Sequence, residues 1–219
     1  MSEQQIFNFT EENFFLEDDF CISKSNEEVY HFLNTWPNWR ENIVNIYGPE
    51  KSGKTFLLSI FAQKNSFIKI SKKEISKRNI DYILKQKKLI IEDISNEIDN
   101  ELLFLIYNHF KSNENFLIFS SLHDTANLSF SLKDLNSRFK SIFNIEIHNP
   151  SDNLLYSILL KSFSDRQIAL ERKIIDFILS KIERSYLAIN TFVKLIDRKN
   201  LVDKKKITKK VINSILEKN

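Results

Sequence analysis

The 219 residues of the chain suffice for one compact domain with a small appendage, and this length allows a large buried core. Hydrophobic residues make up 42% and charged residues 28%, as in ordinary globular proteins, and a net charge of +3 does not by itself indicate a nucleic-acid partner. The single Cys21 excludes an internal disulfide, no apolar run reaches about 20 residues, and the first residues lack a secretory signal, so we expect a cytoplasmic protein.

Residues 1–20 are polar with spaced aromatic side chains, which predicts an N-terminal tail. After the tail, short apolar runs alternate with amphipathic segments, the pattern of strands alternating with helices. The apolar runs are 43–47, 67–70, 89–91, 116–119 and 142–147, and helices are predicted over 55–63, 75–84 and 101–110. This order predicts an α/β domain over 21–150, built on a five-stranded parallel sheet covered on both faces.

After Pro150 the pattern changes to helical periodicity with no strand between the helices. The predicted helices are 153–163, 169–182, 186–196 and 208–216. Pro150, Ser151 and Asp152 are typical of the start of a helix. We therefore expect a boundary near residue 150 and a small helical subdomain over 151–219.

The only two glycines of the chain, Gly48 and Gly53, lie between the first predicted strand and the first predicted helix. The segment Gly48-Pro49-Glu50-Lys51-Ser52-Gly53-Lys54-Thr55 fits the G-x-x-x-x-G-K-[ST] motif at every fixed position. Such a loop wraps a phosphate with backbone N–H groups, the lysine adds charge, and the Thr55 hydroxyl can bind Mg²⁺. We expect these residues to bind ATP or ADP with Mg²⁺. The alternative is a connecting turn, although the other turns of the chain form without glycine.

An acidic pair, Glu92-Asp93, follows the apolar run 89–91. Two carboxylates at the end of a buried strand are costly unless a cation lies beside them. We expect Glu92 to bind Mg²⁺ and Asp93 to act catalytically on an attacking water. The alternative is a strand that simply runs out into solvent.

Three further residues are weaker candidates on their own. Ser120 and Ser121 follow the fourth apolar run and could contact a γ-phosphate or a water, but serines at strand ends usually form turns. Arg138 precedes the last predicted strand, where an arginine is more often a solvated charge than a catalytic group. The four histidines show no metal-ligand spacing and are interpreted as structural.

Together these features resemble the AAA+ ATPases, and within them the DnaA-related branch. Beyond the phosphate loop, the resemblance is to the alphaproteobacterial form of the Hda family, whose members inactivate the replication initiator DnaA. It rests on Ser25-Asn26, Trp36-Pro37-Asn38-Trp39, Leu103-Phe104, Tyr107-Asn108, the segment 132–138 and the segment 149–152.

The resemblance implies an AAA+ domain followed by a helical lid. It implies that Arg138 acts catalytically on the nucleotide of a neighbouring subunit. It also implies that Gln4, Phe7 and Phe9 bind the DNA polymerase sliding clamp, since Gln4-Gln5-Ile6-Phe7-Asn8-Phe9 is similar to the clamp-binding motif of Hda proteins. A tail that packs on its own domain is the alternative.

The chain departs from the family pattern at several positions. Glu92 stands where most of the superfamily has Asp, and Leu187 aligns with the lid arginine that senses the γ-phosphate. Arg184 lies almost one helical turn away and is our candidate for that nucleotide contact. Because the sequence ends soon after the lid, we expect no DNA-binding domain of the kind that DnaA carries. The lysine-rich stretch 204–210 is interpreted as a solvated helix face.

The resemblance implies a regulator of chromosomal replication initiation. We expect it to bind adenine nucleotide, dock on the sliding clamp and stimulate ATP hydrolysis by DnaA, with at most weak ATPase activity of its own. Contact with DNA would be indirect, through the clamp, and no membrane is involved; a homo-oligomer is an option. The alternatives are a DnaA-related helicase loader or replication adaptor ATPase, and a P-loop kinase of small metabolites.

Overall fold

In the computed structural model, residues 21–203 and 207–216 are described, and strands and helices alternate along the first part of this range. The strands are β1 (Ile43–Tyr47), β2 (Ile68–Ser71), β3 (Lys88–Ile94), β4 (Phe116–Ser121) and β5 (Phe143–Glu146). The helices are α1 (Glu27–Asn34), α2 (Lys54–Asn65), α3 (Ile80–Leu84), α4 (Asn100–Ser112), α5 (Lys133–Phe139), α6 (Asp152–Ser164), α7 (Arg172–Leu179), α8 (Tyr186–Asp203) and α9 (Lys209–Leu216). Over this part of the chain, no helix is long and apolar enough to cross a membrane.

The five strands form one parallel sheet in the order β2-β3-β4-β1-β5. The predicted fold class, an α/β chain with a five-stranded parallel sheet, is confirmed. β1 lies between β4 and β5, so the loop that leaves its carboxyl end emerges near the middle of one edge of the sheet. This position brings the loop close to the ends of several strands, as in other open parallel sheets that bind ligands.

Helices cover both faces of the sheet, and the strand side chains alternate between two buried clusters. Ile90 and Ile118 face α2 and the helices α6–α9, while Leu89, Ile91 and Phe119 face α3, α4 and α5. The helices after β5 therefore share a continuous apolar core with α2. The division of the chain into domains at residue 150 stays a prediction.

Three helices differ from the sequence prediction. Helices α1 and α5 were not predicted, because each is short and buries only two residues, Val29 with Leu33 and Leu135 with Phe139. Two apolar positions are too few to establish a helical period. The predicted helix 75–84 is reduced to α3, since the Ser76 backbone and hydroxyl both donate to Asn79 Oδ1 in a local turn that competes with a helix.

The segment that contains Trp36 and Trp39 covers the amino ends of the strands. The Trp39 ring stacks on Phe32 at 4.6 Å between ring centres, and its Nε1 donates to the Phe32 carbonyl at 3.0 Å. Trp36 meets Phe67 and Phe116 edge-on at 5.7 Å. Because this aromatic cluster covers the amino ends, the carboxyl ends are the edge at which polar groups gather.

We predict that Phe110→Ala, in α4, lowers the free energy of unfolding by about 3–5 kcal/mol, because Phe110 is fully buried between α4 and the sheet. Leu105→Ala, on the same helix but 44% exposed, should change it by no more than about 0.5 kcal/mol. Urea unfolding followed by circular dichroism measures both changes. Similar losses for the two variants would contradict the packing of α4 described above.

Candidate functional site

The loop between β1 and α2 contains both glycines because neither position can hold a larger side chain. A Cβ atom on Gly48 would lie 2.0 Å from the Ile147 carbonyl oxygen, which follows β5. Gly53 has a left-handed φ of 102° and faces the ring of Tyr186, which a Cβ would meet at 3.0 Å. The loop is therefore confined between the end of β5 and the start of α8.

The inner surface of this loop is suited to an anion. Lys51 has a left-handed φ of 65°, a conformation that turns successive backbone N–H groups toward one side. The described residues give α2 neither a side-chain cap nor an acidic group in its first turn, so nothing on this part of the chain neutralises its positive end. The Ser52 hydroxyl is buried and makes no hydrogen bond to the described part of the chain.

Lys54 is buried at the start of α2 and donates to the carbonyls of Gly48 at 2.7 Å and Pro49 at 2.8 Å. Burial lowers the pKa of the Lys54 ammonium, while the carboxylates of Asp93 and Glu50 oppose this shift. Hydrogen bonds from an ammonium to phosphate oxygens are stronger than those to neutral carbonyls. The Lys54 ammonium is therefore placed to exchange its loop carbonyls for an anionic ligand. The predicted residues Glu50 and Thr55 are exposed on the same loop and helix start.

The two predicted acids point in different directions at the end of β3. The Glu92 side chain is only 14% exposed; its Oε2 lies 3.1 Å from Lys69 Nζ, and its buried Oε1 has no hydrogen-bond partner among the described residues. Asp93 is exposed, has a left-handed φ of 57°, and its backbone N–H donates to Ser120 Oγ at 3.0 Å. The ladder between β3 and β4 is irregular at this point, which reverses the usual alternation of side chains.

These groups fit a nucleotide phosphate and Mg²⁺. Ser52 Oγ and Glu92 Oε1 are buried polar atoms that have no hydrogen-bond partner within the described part of the chain, and such atoms call for a ligand or a water. The described residues contain no group of three or more His, Cys, Asp or Glu side chains that could hold a metal alone. Mg²⁺ commonly uses one or two carboxylates together with substrate phosphates, so the role predicted for Glu92 does not require a cluster of acids.

Ser120 and Ser121 lie on opposite faces of the sheet. Ser120 follows Ile118 on the face of α2 and contacts the Asp93 backbone. The Ser121 hydroxyl is buried on the other face, where it bonds to Asn45 and donates to the His123 carbonyl at 2.6 Å. This engagement argues against the predicted contact of Ser121 with a nucleotide and leaves Ser120 as the candidate.

The region after β5 reaches the loop through Glu183 rather than through Arg184. Glu183 forms an ion pair with Lys51 on the loop. The Arg184 guanidinium, 70% exposed, lies 3.3 Å from Asp152 at the start of α6. An ion pair between two exposed side chains is easily exchanged, so the nucleotide contact of Arg184 stays a prediction.

Tyr186, which the sequence analysis did not identify, joins three parts of the chain. Its hydroxyl accepts a hydrogen bond from Asn26 Nδ2 at 2.7 Å and donates to the Cys21 carbonyl at 3.2 Å, while its ring lies against Gly53. Burial raises the pKa of the phenol, so it stays a neutral donor. Next to this junction, a cleft of about 520 Å³ opens between residues 21–25 and the start of α6, with Ser151 among its lining residues. No pattern in the sequence indicates this role for a single tyrosine.

Arg138 lies on α5, which packs through Leu135 and Phe139 on the face of the sheet opposite α2. Its exposed guanidinium is centred 5.3 Å from the Phe104 ring and 5.9 Å from the Tyr107 ring, both on α4. It forms no ion pair with any residue in the described ranges. The predicted clamp-binding residues Gln4, Phe7 and Phe9 lie outside those ranges, and their role stays a prediction.

The sheet order, the phosphate-type loop after β1 and the acidic end of β3 define an AAA+ type of P-loop fold. Among known proteins, the chain is similar in sequence to a replication initiator. The chain is 29% identical over 184 residues to the chromosomal replication initiator protein DnaA of Mycoplasma capricolum subsp. capricolum, a match that covers 70% of this chain and 40% of that protein. No protein-family model matches the chain.

Solved structures of DnaA are similar to this chain in their fold. Domain III of DnaA from Thermotoga maritima superposes with a TM-score of 0.73 at 20% identity, covering 92% of this chain and 95% of that one. AMPPCP-bound DnaA from Aquifex aeolicus gives a TM-score of 0.69 at 20% identity, covering 84% of this chain and 65% of that one. The chain has the fold of a DnaA-like AAA+ domain and spans about two fifths of the length of its curated relative.

We predict that Tyr186→Phe lowers the free energy of unfolding by about 1–2 kcal/mol, because the ring stays against Gly53 while the buried Asn26 amide loses an acceptor. Tyr82→Phe is the matched control, since Tyr82 is 54% exposed, and it should have no measurable effect. Thermal unfolding at several urea concentrations measures both. A neutral Tyr186→Phe would show that the hydroxyl does not hold residues 21–26 in place.

Proposed function

We propose that the chain is an Hda-type regulator of replication initiation. It binds ADP or ATP at its phosphate-type loop, docks on the sliding clamp through its tail, and presents Arg138 to ATP-bound DnaA. The observation that carries this proposal is the exposed Arg138 guanidinium, held on two aromatic rings on the face of the sheet opposite its own loop, with no ion pair among the described residues.

Nucleotide binding is supported by the geometry of the loop and by the relation to DnaA, whose Aquifex aeolicus protein was solved with AMPPCP. The N–H groups of the loop and of α2 would hold the phosphates, and the Lys54 ammonium, which now donates to the loop carbonyls, would supply positive charge to them. Thr55 and the free oxygen of Glu92 would hold Mg²⁺, which neutralises phosphate charge when bound. The cleft beside Tyr186 offers room for the base.

The proposed action of Arg138 is electrostatic. A guanidinium that approaches the γ-phosphate bound to another subunit stabilises the charge on the transferring phosphoryl group, and such an arginine supplied in trans accelerates hydrolysis by roughly 10³- to 10⁵-fold in GTPase systems. Stacking on Phe104 and Tyr107 orients the planar guanidinium and leaves its N–H groups free for phosphate oxygens. The chain itself would then be an activator more than a turnover enzyme.

The partners follow from this role. The curated relative is a chromosomal replication initiator, which supports DnaA as the target. Gln4, Phe7 and Phe9 supply a glutamine and two apolar anchors for a pocket on the clamp, which brings the regulator to DNA only through the clamp.

We predict that Lys54→Ala weakens the binding of ADP and ATP at least tenfold, about 1.4 kcal/mol or more, because it removes the buried ammonium at the mouth of the loop. Lys85→Ala, an exposed lysine at the end of α3, serves as the control and should bind like the wild type. Isothermal titration calorimetry measures both affinities. Equal affinities for the two variants would rule out the loop as a phosphate site.

We predict that Arg138→Ala retains folding, nucleotide binding and clamp binding but loses stimulation of DnaA. An exposed arginine without an ion pair contributes little to stability, typically within about 0.5–1 kcal/mol even when it lies on aromatic rings. Arg138→Lys should also be impaired, because an ammonium lacks the planar fork of a guanidinium. The control is Lys133→Ala on the same helix, which should stimulate DnaA like the wild type.

The assay for Arg138 is single-turnover hydrolysis of radiolabelled ATP bound to DnaA, on DNA loaded with the clamp. A variant with alanine at Gln4, Phe7 and Phe9 should lose stimulation together with clamp binding, unlike Arg138→Ala. Equal rates with wild type and Arg138→Ala would remove Arg138 from the mechanism. A wild-type protein that does not stimulate DnaA would overturn the proposed regulatory role.

A further inference from the structure

A second positive charge lies beside the acidic end of β3. Lys69, on the edge strand β2, is flanked by Ile68 and Ile70, and its side chain is 27% exposed. Its Nζ lies 3.1 Å from Glu92 Oε2 and donates to Ser59 Oγ at 2.7 Å. Ile68 and Ile70 face the opposite side of the sheet, so these polar partners on the side of α2 offset the partial burial of the ammonium.

The serine on the other side ties this lysine to the phosphate-binding helix. Ser59 is buried in α2, and its hydroxyl donates to the Thr55 carbonyl at 2.6 Å, one turn earlier. Because the Ser59 hydroxyl accepts from Lys69 while it donates to the Thr55 carbonyl, Ser59 keeps the ammonium between α2 and β3. Lys69 is thus held at two points, on the helix that starts at the loop and on the carboxylate proposed for Mg²⁺.

We propose that Lys69 is a built-in counter-ion for Glu92, and that this chain therefore binds ADP and ATP with little dependence on Mg²⁺. The inference rests on the proposed binding of nucleotide at the loop. It adds that the Lys69 ammonium neutralises part of the negative charge that Mg²⁺ would otherwise neutralise at Glu92.

The physical basis is competition between two cations for one carboxylate. Glu92 Oε2 already faces an ammonium, so only Oε1 is available to a metal. A divalent ion beside Oε1 gains attraction from Glu92 but meets repulsion from Lys69, and both effects are strong because the carboxylate is largely buried. The net gain from Mg²⁺ at this position is therefore small. A lysine that only stabilised β2 would affect folding but not the metal dependence of binding.

The test measures the dissociation constants of ADP and ATP by calorimetry in excess Mg²⁺ and in excess EDTA, on the full chain. The ratio of the EDTA value to the Mg²⁺ value should stay within about threefold for the wild type and rise to about tenfold or more for Lys69→Met, in which Glu92 is left without its cation. Lys69→Arg, which keeps the charge, should behave like the wild type. The double variant Lys69→Met with Glu92→Gln should lose the added Mg²⁺ dependence.

Lys72→Met is the control for loss of a lysine with similar exposure. Lys72 is 23% exposed, lies 3.2 Å from Oε2 of the exposed Glu97 and donates to Ser95 Oγ at 2.7 Å, so its removal deletes an ion pair that does not involve Glu92 or Asp93. The ratio of the dissociation constant in EDTA to that in Mg²⁺ should be the same for Lys72→Met as for the wild type. Circular dichroism checks folding of each variant, and Lys69→Gln replaces Lys69→Met if the latter does not fold.

Three results would overturn the inference. A wild-type ratio above about tenfold would do so without any variant, because Mg²⁺ would then add strongly to nucleotide affinity although Lys69 already balances Glu92. Equal ratios for the wild type and the folded charge-removing variant would also do so and would leave the proposed nucleotide site standing. A wild-type protein that binds neither nucleotide would overturn the proposed function and, with it, this inference.

Discussion

The close approach of the β1–α2 loop to its two neighbours is the constraint on which the site depends. Gly48 lies against the carbonyl after β5, and Gly53 lies against the ring of Tyr186 at the start of α8. Only glycine fits either position, and these contacts fix the loop to the sheet at one end and to the later helices at the other. The hydrogen bonds of Tyr186 then extend this junction to residues 21–26.

On the face of the sheet opposite α2, a buried polar network connects β1 to α5, the helix that contains Arg138. Asn45 Nδ2 donates to Ser121 Oγ at 2.9 Å and to Asn144 Oδ1 at 2.8 Å. The Thr125 hydroxyl lies 3.1 Å from the same Asn144 oxygen and 2.8 Å from the Phe139 carbonyl at the end of α5. A fully bonded network of this kind is rigid in a low-dielectric core, so α5 keeps its place relative to the sheet.

Much of the fold could be predicted because buried parallel strands are continuous apolar runs, as in 43–47 and 116–119, and each needs a covering helix. The phosphate-type loop could be predicted because its two glycines serve a backbone geometry that no other residue adopts without strain. The short helices α1 and α5 could not, since two buried side chains do not define a period. Ser120 and Ser121 also could not be distinguished, because the irregular β3–β4 ladder decides which of them faces Asp93.

The order of the strands and of the longer helices, the loop motif and the acidic strand end follow from the sequence, because each depends on residues that are close in the chain. The tertiary structure alone decided the charge partners: Lys69 for Glu92, Glu183 for Lys51 and Asp152 for Arg184. It also decided the place of Tyr186, 160 residues from its partner Asn26. Electrostatic and hydrogen-bonded contacts act over a few ångströms, so they are set by which segments the fold brings together and not by their spacing along the chain.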